Sequence, residues 1–187
     1  MATKLPTITT CGGDKGETSL WSGERVPKNH PAIKCVCELD LFDSLIGTMY
    51  EYIDDKKELH KSLIKIQQRF VDLKGEIATH PRSWTDFYKN FKPIKQKDVE
   101  YLDTCCDNVK SFLEEQGYEI TGWIRYGHEG RVSAHLDYLR AVCRKCEVSL
   151  YDLEDVLIDA QISPYIKQYI NRLSDYLYLL ARYVREL

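Results

Sequence analysis

Leu59-His60-Lys61-Ser62-Leu63-Ile64-Lys65-Ile66-Gln67-Gln68-Arg69-Phe70-Val71-Asp72-Leu73-Lys74-Gly75-Glu76-Ile77 decides the fold class. Leu59, Leu63, Ile66, Phe70, Leu73 and Ile77 recur every three or four positions, with charges elsewhere. That is the period of a helix with one buried stripe, not the alternation of a strand. The spacing predicts a helix over 56–78. Upstream, Ile33, Val36, Leu39, Phe42, Leu45, Ile46 and Met49 predict another over 32–53, opened by Pro31 where its missing N–H costs nothing.

Further helices are expected over 95–116, stopped by Gly117, and over 132–152. The last runs from Ser163-Pro164 to the end, with Ser163 as N-cap and Pro164 as first helical residue. The segment from His80-Pro81-Arg82-Ser83-Trp84 to Pro93 is too broken for a helix of any length. Five amphipathic helices with short joints and no convincing strand specify an all-α fold, an up-and-down five-helix bundle. Tyr165, Tyr169, Tyr176 and Tyr183 line one side of the last helix as core or subunit-contact residues.

The chain has 187 residues, enough for one domain with a substantial core, and its formal net charge is −3. That charge gives no general attraction to nucleic acid or to an anionic membrane, so a phosphate site must be a local cation cluster. No apolar run approaches a membrane span, and the first residues resemble neither a secretory nor a transit leader. A cytoplasmic location is expected, or a mitochondrial one if a leader has been removed. Seven cysteines without framework spacing point to reduced thiols. Cys35-x-Cys37, Cys105-Cys106 and Cys143-x-x-Cys146 lack partners at zinc-finger spacing, so no metal site is expected.

Residues 1–30 form the first functional unit, an extended loop ahead of the bundle of 31–187 within a single overall domain. Thr10-Cys11-Gly12-Gly13-Asp14-Lys15-Gly16-Glu17-Thr18-Ser19 lacks the Gly-Lys-[Ser/Thr] ending of a Walker loop. Its glycines expose backbone N–H groups beside Lys15 and the hydroxyls of Thr18 and Ser19, a set able to wrap a triphosphate. Lys28 offers another cation. Arg140 and Arg144 share a helix face four residues apart, with Glu147 beyond them and Leu136, Leu139, Cys143 and Leu150 around them. Arginines among apolar positions are costly unless they meet an anion. Asn171, Arg172 and Asp175 lie within about one turn of the last helix.

Together and in this order, these segments resemble the PduO-type ATP:cob(I)alamin adenosyltransferases, over about residues 9–185. Asn171-Arg172-Leu173-Ser174-Asp175-Tyr176 and Gln67 also match the family pattern. The resemblance implies a ferritin-like helical bundle that transfers the 5′-deoxyadenosyl group of ATP to cobalamin. It assigns nucleotide contacts to Thr10, Gly13, Asp14, Lys15, Gly16, Thr18, Ser19, Lys28, Arg140, Arg144, Glu147 and Asn171. Mg²⁺ would bridge phosphate oxygens. Arg140 and Arg144 act on the departing triphosphate, while Trp123, with Phe112, borders the corrin. The resemblance further implies a homotrimer with sites between subunits, an Asp40–Arg140 pair across the interface, a flavoprotein reductase and an adenosylcobalamin-dependent recipient enzyme.

The chain departs from the family at several positions. Gly12 replaces a Thr, Lys145 and Val148 replace arginines, and Trp123-Ile124-Arg125-Tyr126-Gly127-His128 replaces a Pro-Gly-Gly loop. The alternative is therefore an ATP-binding trimer that has lost corrinoid adenosylation. A plain helical interaction module with solvated charges is a third reading. Trp123 either borders the corrin or plugs the end of the bundle. His128 and His135 are expected to be ordinary polar residues rather than cobalt ligands, since the Asp-x-His-x-x-Gly signature is absent.

Overall fold

A computed structural model describes residues 9–53, 57–119, 122–127, 129–158 and 160–184. The expected helices form: α1 (Pro31–Met49), α2 (Lys57–Ile77), α4 (Gln96–Glu115), α5 (Arg131–Glu154) and α6 (Pro164–Tyr183), with a single-turn helix α3 (Trp84–Phe87) between α2 and α4. The α1 helix ends sooner than its apolar pattern, and Tyr50–Tyr52 tighten into a 3-10 turn. His30 caps α1 by accepting the Ala32 N–H on its Nδ1 at 3.2 Å. Ser163, expected to cap α6, makes no capping hydrogen bond with its side chain, so Pro164 alone marks that start.

The helices close into a ring. α1 packs on α2 and α5, α5 on α6, and α6 on α4. Across the remaining side, the Lys65 ammonium sits 3.2 Å from the centre of the Tyr101 ring, and Arg69 Nε lies 3.1 Å from Asp98 Oδ1. Tyr176 on α6 donates its hydroxyl hydrogen bond to Ser62 on α2 at 3.1 Å. The core joins stripes read from the sequence, Leu39, Phe42 and Ile46, then Leu63, Ile66, Phe70 and Leu73, then Leu136, Cys143 and Leu150, to one on α6 formed by Ile166, Ile170, Leu173 and Leu177. Each such apolar side chain contributes roughly 1.5–3 kcal/mol on full burial. Phe42 and Phe70 meet at 5.0 Å between ring centres and join α1 to α2.

Buried thiols fill the seams where helices approach closely. Cys143 Sγ donates to the Ile170 carbonyl at 3.4 Å and Cys146 Sγ to the Glu38 carbonyl at 3.2 Å. All seven cysteines are free. Burial pushes the Cys35 thiol up to about 11 and those of Cys106 and Cys146 up to about 12. They are inert protonated hydrophobes at neutral pH.

The N-terminal segment differs from the extended loop expected of it. Strands β1 (Glu17–Ser19) and β2 (Arg25–Pro27) pair antiparallel, with Thr18 opposite Val26. The hairpin is stitched to the end of α2. The Trp21 N–H donates to the Ala78 carbonyl at 2.7 Å, and the His80 N–H donates to Ser22 Oγ at 3.1 Å. Leu20 is buried in the common core, and the Trp21 ring meets Phe87 and Phe91 edge-on at 5.2 and 5.8 Å. The aromatic connection 84–93 thus serves as the seat of the hairpin.

Candidate functional site

The hairpin gathers one group of the predicted residues. Its leading turn carries Gly12, Gly13, Asp14, Lys15 and Gly16. It is held by Asp14 N–H to Cys11 O at 3.3 Å, Gly16 N–H to Gly13 O at 3.2 Å, and Lys28 N–H to Gly16 O at 2.9 Å. Gly16 has φ +84, a backbone conformation that only glycine enters cheaply. Arg25 ties the turn down by donating to the Gly12 carbonyl at 2.8 Å and to Ser19 Oγ at 3.2 Å. At Gly13 a β-carbon would lie 3.1 Å from both Cε and Nζ of Lys28. The missing side chain lets that ammonium rest on the turn. Thr10, Asp14, Lys15, Ser19 and Lys28 are exposed, and Thr18 is half-buried. The sequence reading missed Arg25; its period-free setting gave no signal.

The second group stands on the outer faces of α5 and α6. Arg144 is exposed, while Arg140 and Glu147 are half-buried. Asn171 donates from Nδ2 to Glu147 Oε1 at 3.1 Å, which holds both side chains in one orientation. Arg172 turns away from Asn171 and pairs with Asp103 and, at 3.0 Å, with Asp175. Arg140 Nη2 donates to the Tyr126 hydroxyl at 3.0 Å, and its guanidinium lies 5.1 Å from that ring centre.

Within one subunit the two groups are not directly bonded. Among the described residues no hydrogen bond or ion pair links Lys15 or Lys28 to Arg140, Arg144, Glu147 or Asn171. The hairpin's inner residues Leu20 and Val26 wall a cavity of about 570 Å³ with Leu153 and Leu157. Arg144 is nine residues before Leu153, about 13 Å along the helix.

Asp40 is 66% exposed and pairs within the chain with Lys74 at 2.8 Å, not with Arg140. Lys74 also meets Asp43 at 2.7 Å. Burial pulls the Lys74 ammonium down, but its hydrogen bonds to Asp40 and Asp43 more than offset this and hold it above the ordinary lysine value. Gln67 donates to the Asp43 carbonyl at 2.9 Å and accepts from the Tyr50 hydroxyl, so it knits α1 to α2.

Trp123 is fully exposed and does not plug the bundle. Phe112 is half-buried, and its ring contact is with Tyr183 at 4.9 Å. His135 bonds to the Arg131 carbonyl at 3.0 Å and lies 4.7 Å from Tyr52, an ordinary helix-start role. His128 lies outside the described residues.

A cluster the sequence reading missed stands at the opposite end of α5 from the hairpin. Arg182, 1% exposed, lies 2.9 Å from Glu129 Oε2 by its Nε and 2.5 Å from Asp137 Oδ2 by its Nη2. Tyr118 donates to Glu129 Oε1 at 3.2 Å and Ser133 to Glu129 Oε2 at 3.3 Å. Burial pushes the Asp137 carboxyl up, and the Arg182 contact draws it partly back.

Among the described residues no group of three His, Cys, Asp or Glu is placed to hold a metal ion, and no helix is long and apolar enough to cross a membrane. Asp14, Thr18 and Ser19 are hard oxygen donors of the kind that accompanies Mg²⁺ on phosphates.

Comparison with known proteins gives a consistent picture. The family model described as cobalamin adenosyltransferase matches residues 8–184. The corrinoid adenosyltransferase MMAB of Homo sapiens is 31% identical over 181 residues, covering 96% of this chain and 69% of that protein. A cobalamin adenosyltransferase of Cupriavidus metallidurans is 30% identical, covering 97% and 90%. A variant PduO-type ATP:corrinoid adenosyltransferase from Lactobacillus reuteri, solved with cobalamin and ATP, superposes with a TM-score of 0.77 at 26% identity. The match covers 96% of this chain and 91% of that one.

Proposed function

Because the chain belongs to the cobalamin adenosyltransferase family, we propose that it transfers the 5′-deoxyadenosyl group of ATP to cob(I)alamin, giving adenosylcobalamin and triphosphate. The observation that carries the proposal is the Gly13 turn with Lys28 resting on it and Lys15 within it. That is a phosphate cradle without a strand-borne P-loop. The cobalt(I) electron pair forms a bond to the 5′ carbon as the carbon–oxygen bond breaks, and triphosphate leaves with the electron pair of that broken bond. Cobalt passes from +1 to +3. No protein nucleophile or base is required, so the protein's task is to orient ATP and stabilise the leaving triphosphate.

Lys15, Lys28, Arg140 and Arg144 hold phosphate charge. Glu147 and Asn171, fixed by their mutual hydrogen bond, contact the nucleoside. Thr10, Gly13, Asp14, Gly16, Thr18 and Ser19 line the cradle, and Mg²⁺ held there would neutralise phosphate oxygens. Trp123, free of the core, borders the corrin and limits access to its lower face. The lack of any direct bond between hairpin and arginine face within one chain supports a homotrimer in which one subunit's cradle faces its neighbour's α5 and α6. Asp40, largely exposed beside Lys74, remains accessible to a neighbour's Arg140. Seven free thiols support a reducing, cytosol-like compartment. There a flavoprotein reductase would supply cobalt(I), and an adenosylcobalamin-dependent enzyme would receive the product.

The test is anaerobic adenosylation of chemically reduced cobalamin with ATP, followed by the visible spectrum. The expected result is loss of the cob(I)alamin bands and one triphosphate per adenosylcobalamin formed. ATP binding without any such conversion would instead identify a homologue that keeps the nucleotide and has lost the corrinoid reaction. The altered loop at 122–130, with Trp123-Ile124-Arg125-Tyr126-Gly127-His128 in place of the family's Pro-Gly-Gly pattern, is the feature that favours this second reading.

A further inference from the structure

The buried Arg182 cluster has no part in the reaction as described, yet it stands one helical turn from a residue that does. Asp137 and Arg140 are three positions apart on α5 and so share a face. Arg182 is divided between the Glu129 and Asp137 carboxylates, so Asp137 has only part of one guanidinium to balance it. The second cation acting on Asp137 is Arg140. Asp137 Oδ1 and Arg140 Nε are both buried and have no hydrogen-bond partner among the described residues, an acceptor and a donor one turn apart. On its outer side Arg140 is bound by Tyr126. The loop thus restrains the guanidinium through a hydroxyl, while the Asp137 carboxylate one turn away acts on it through charge without a direct bond.

We propose that Asp137, itself locked by Arg182, is a positioning residue that sets where the Arg140 guanidinium meets the phosphates of ATP. This rests on the assignment of Arg140 to phosphate above. Arginine side chains are long and lose much rotamer freedom when fixed, so an inner carboxylate that removes this freedom beforehand strengthens the later contact. Arg182 is suited to lock Asp137. It is buried, it bridges the α4–α5 loop to α5, and its guanidinium lies 4.9 Å from the centre of the Tyr178 ring, which limits its own movement.

A double-mutant cycle on the full chain tests the proposal, with Asp137→Asn, Arg140→Ala and the double variant compared to the parent. Thermal midpoint without nucleotide and ATP Kd by calorimetry are both read. Asp137→Asn is expected to weaken ATP about fivefold in the parent and not at all in the Arg140→Ala background, and the midpoints should be non-additive. An equal loss of ATP affinity in both backgrounds, with additive midpoints, overturns the proposal, because Asp137 would then act only through general stability. Unchanged ATP affinity in Arg140→Ala with non-additive midpoints would sink the phosphate assignment of Arg140 while leaving the Asp137–Arg140 pair standing. Should Asp137→Asn fold poorly, Asp137→Glu keeps the charge, displaces it, and is read in the same cycle.

Discussion

Lys28 crosses back over the hairpin to rest on Gly13, where a β-carbon would sit 3.1 Å from its Cε and Nζ. The contact places a cation over the turn, and it depends on the absence of a methyl group. Gly13→Ala should therefore push the ammonium aside without disturbing the bundle. We expect ATP affinity to fall about three- to tenfold by calorimetry and the thermal midpoint to move by less than about 2 °C. A large midpoint loss with unchanged affinity would make the contact structural.

The cradle and the arginine face should each be needed for the nucleotide. Lys15→Ala and Arg144→Ala remove exposed cations that support no core residue. Each should weaken ATP about tenfold or more, the scale of one charge-assisted phosphate contact, with far-ultraviolet circular dichroism unchanged. If neither variant binds ATP more weakly, the nucleotide does not lie where these residues stand.

Gly75 on α2 meets the ring of Phe87, since an added β-carbon would lie 2.8 Å from its Cε2. Alanine is the better helix former by about 1 kcal/mol, yet the buried, packed Phe87 ring cannot swing away freely. Overpacking of this kind costs about 1–3 kcal/mol, so Gly75→Ala should be net destabilising and should loosen the hairpin's seat. Urea titration would show a lowered midpoint; a raised one would mean that the ring relocates cheaply.

Alkaline pH should unfold this protein early. Cys35, Cys106 and Cys146 have folded values of about 11 to 12, against about 8.5 for a free thiol. For a group raised on folding, the stabilising contribution is complete below the unfolded value and is lost as pH rises through the folded one. The thermal midpoint should thus fall by at least about 5 °C between pH 8.5 and 11, and Cys35→Ala with Cys146→Ala should lessen the slope. At neutral pH a thiol reagent should label the exposed Cys11 and Cys37 promptly, and the buried thiols only in denaturant.

Trp123 has no core role to lose. Trp123→Ala should leave the thermal midpoint and ATP affinity within about 2 °C and twofold of the parent while removing most turnover, and the bound Co(II) corrinoid should show altered axial coordination. Full turnover in the variant would separate this side chain from the corrin.

The bundle was legible because a period of 3.6 carried through a whole helix survives any local exception, as Leu59 to Ile77 illustrate. The hairpin was not legible, because three-residue strands contain no period and Thr18 opposite Val26 is settled by a long-range seat on Ala78 and Phe87. Arg182 and Glu129 are 53 positions apart, beyond any local pattern. Asp137 did leave a trace, a carboxylate within the same stripe as Leu136 and Leu139. Lys74 as an in-chain partner of Asp40 was not legible, because helix-face spacing says which side a charge is on, not which residue of the next helix reaches it.

Leu20 is sunk in the core while the turn it carries is held by a handful of surface hydrogen bonds. The hairpin thus has a root fixed in the core and a tip tied only by surface hydrogen bonds. On the proposed seating of the phosphates, releasing triphosphate would require only the tip to fray, a local event far cheaper than unfolding. The same root makes the tip a weak point for proteases, and a bound nucleotide that closes it should protect the chain between Cys11 and Gly16 from cleavage.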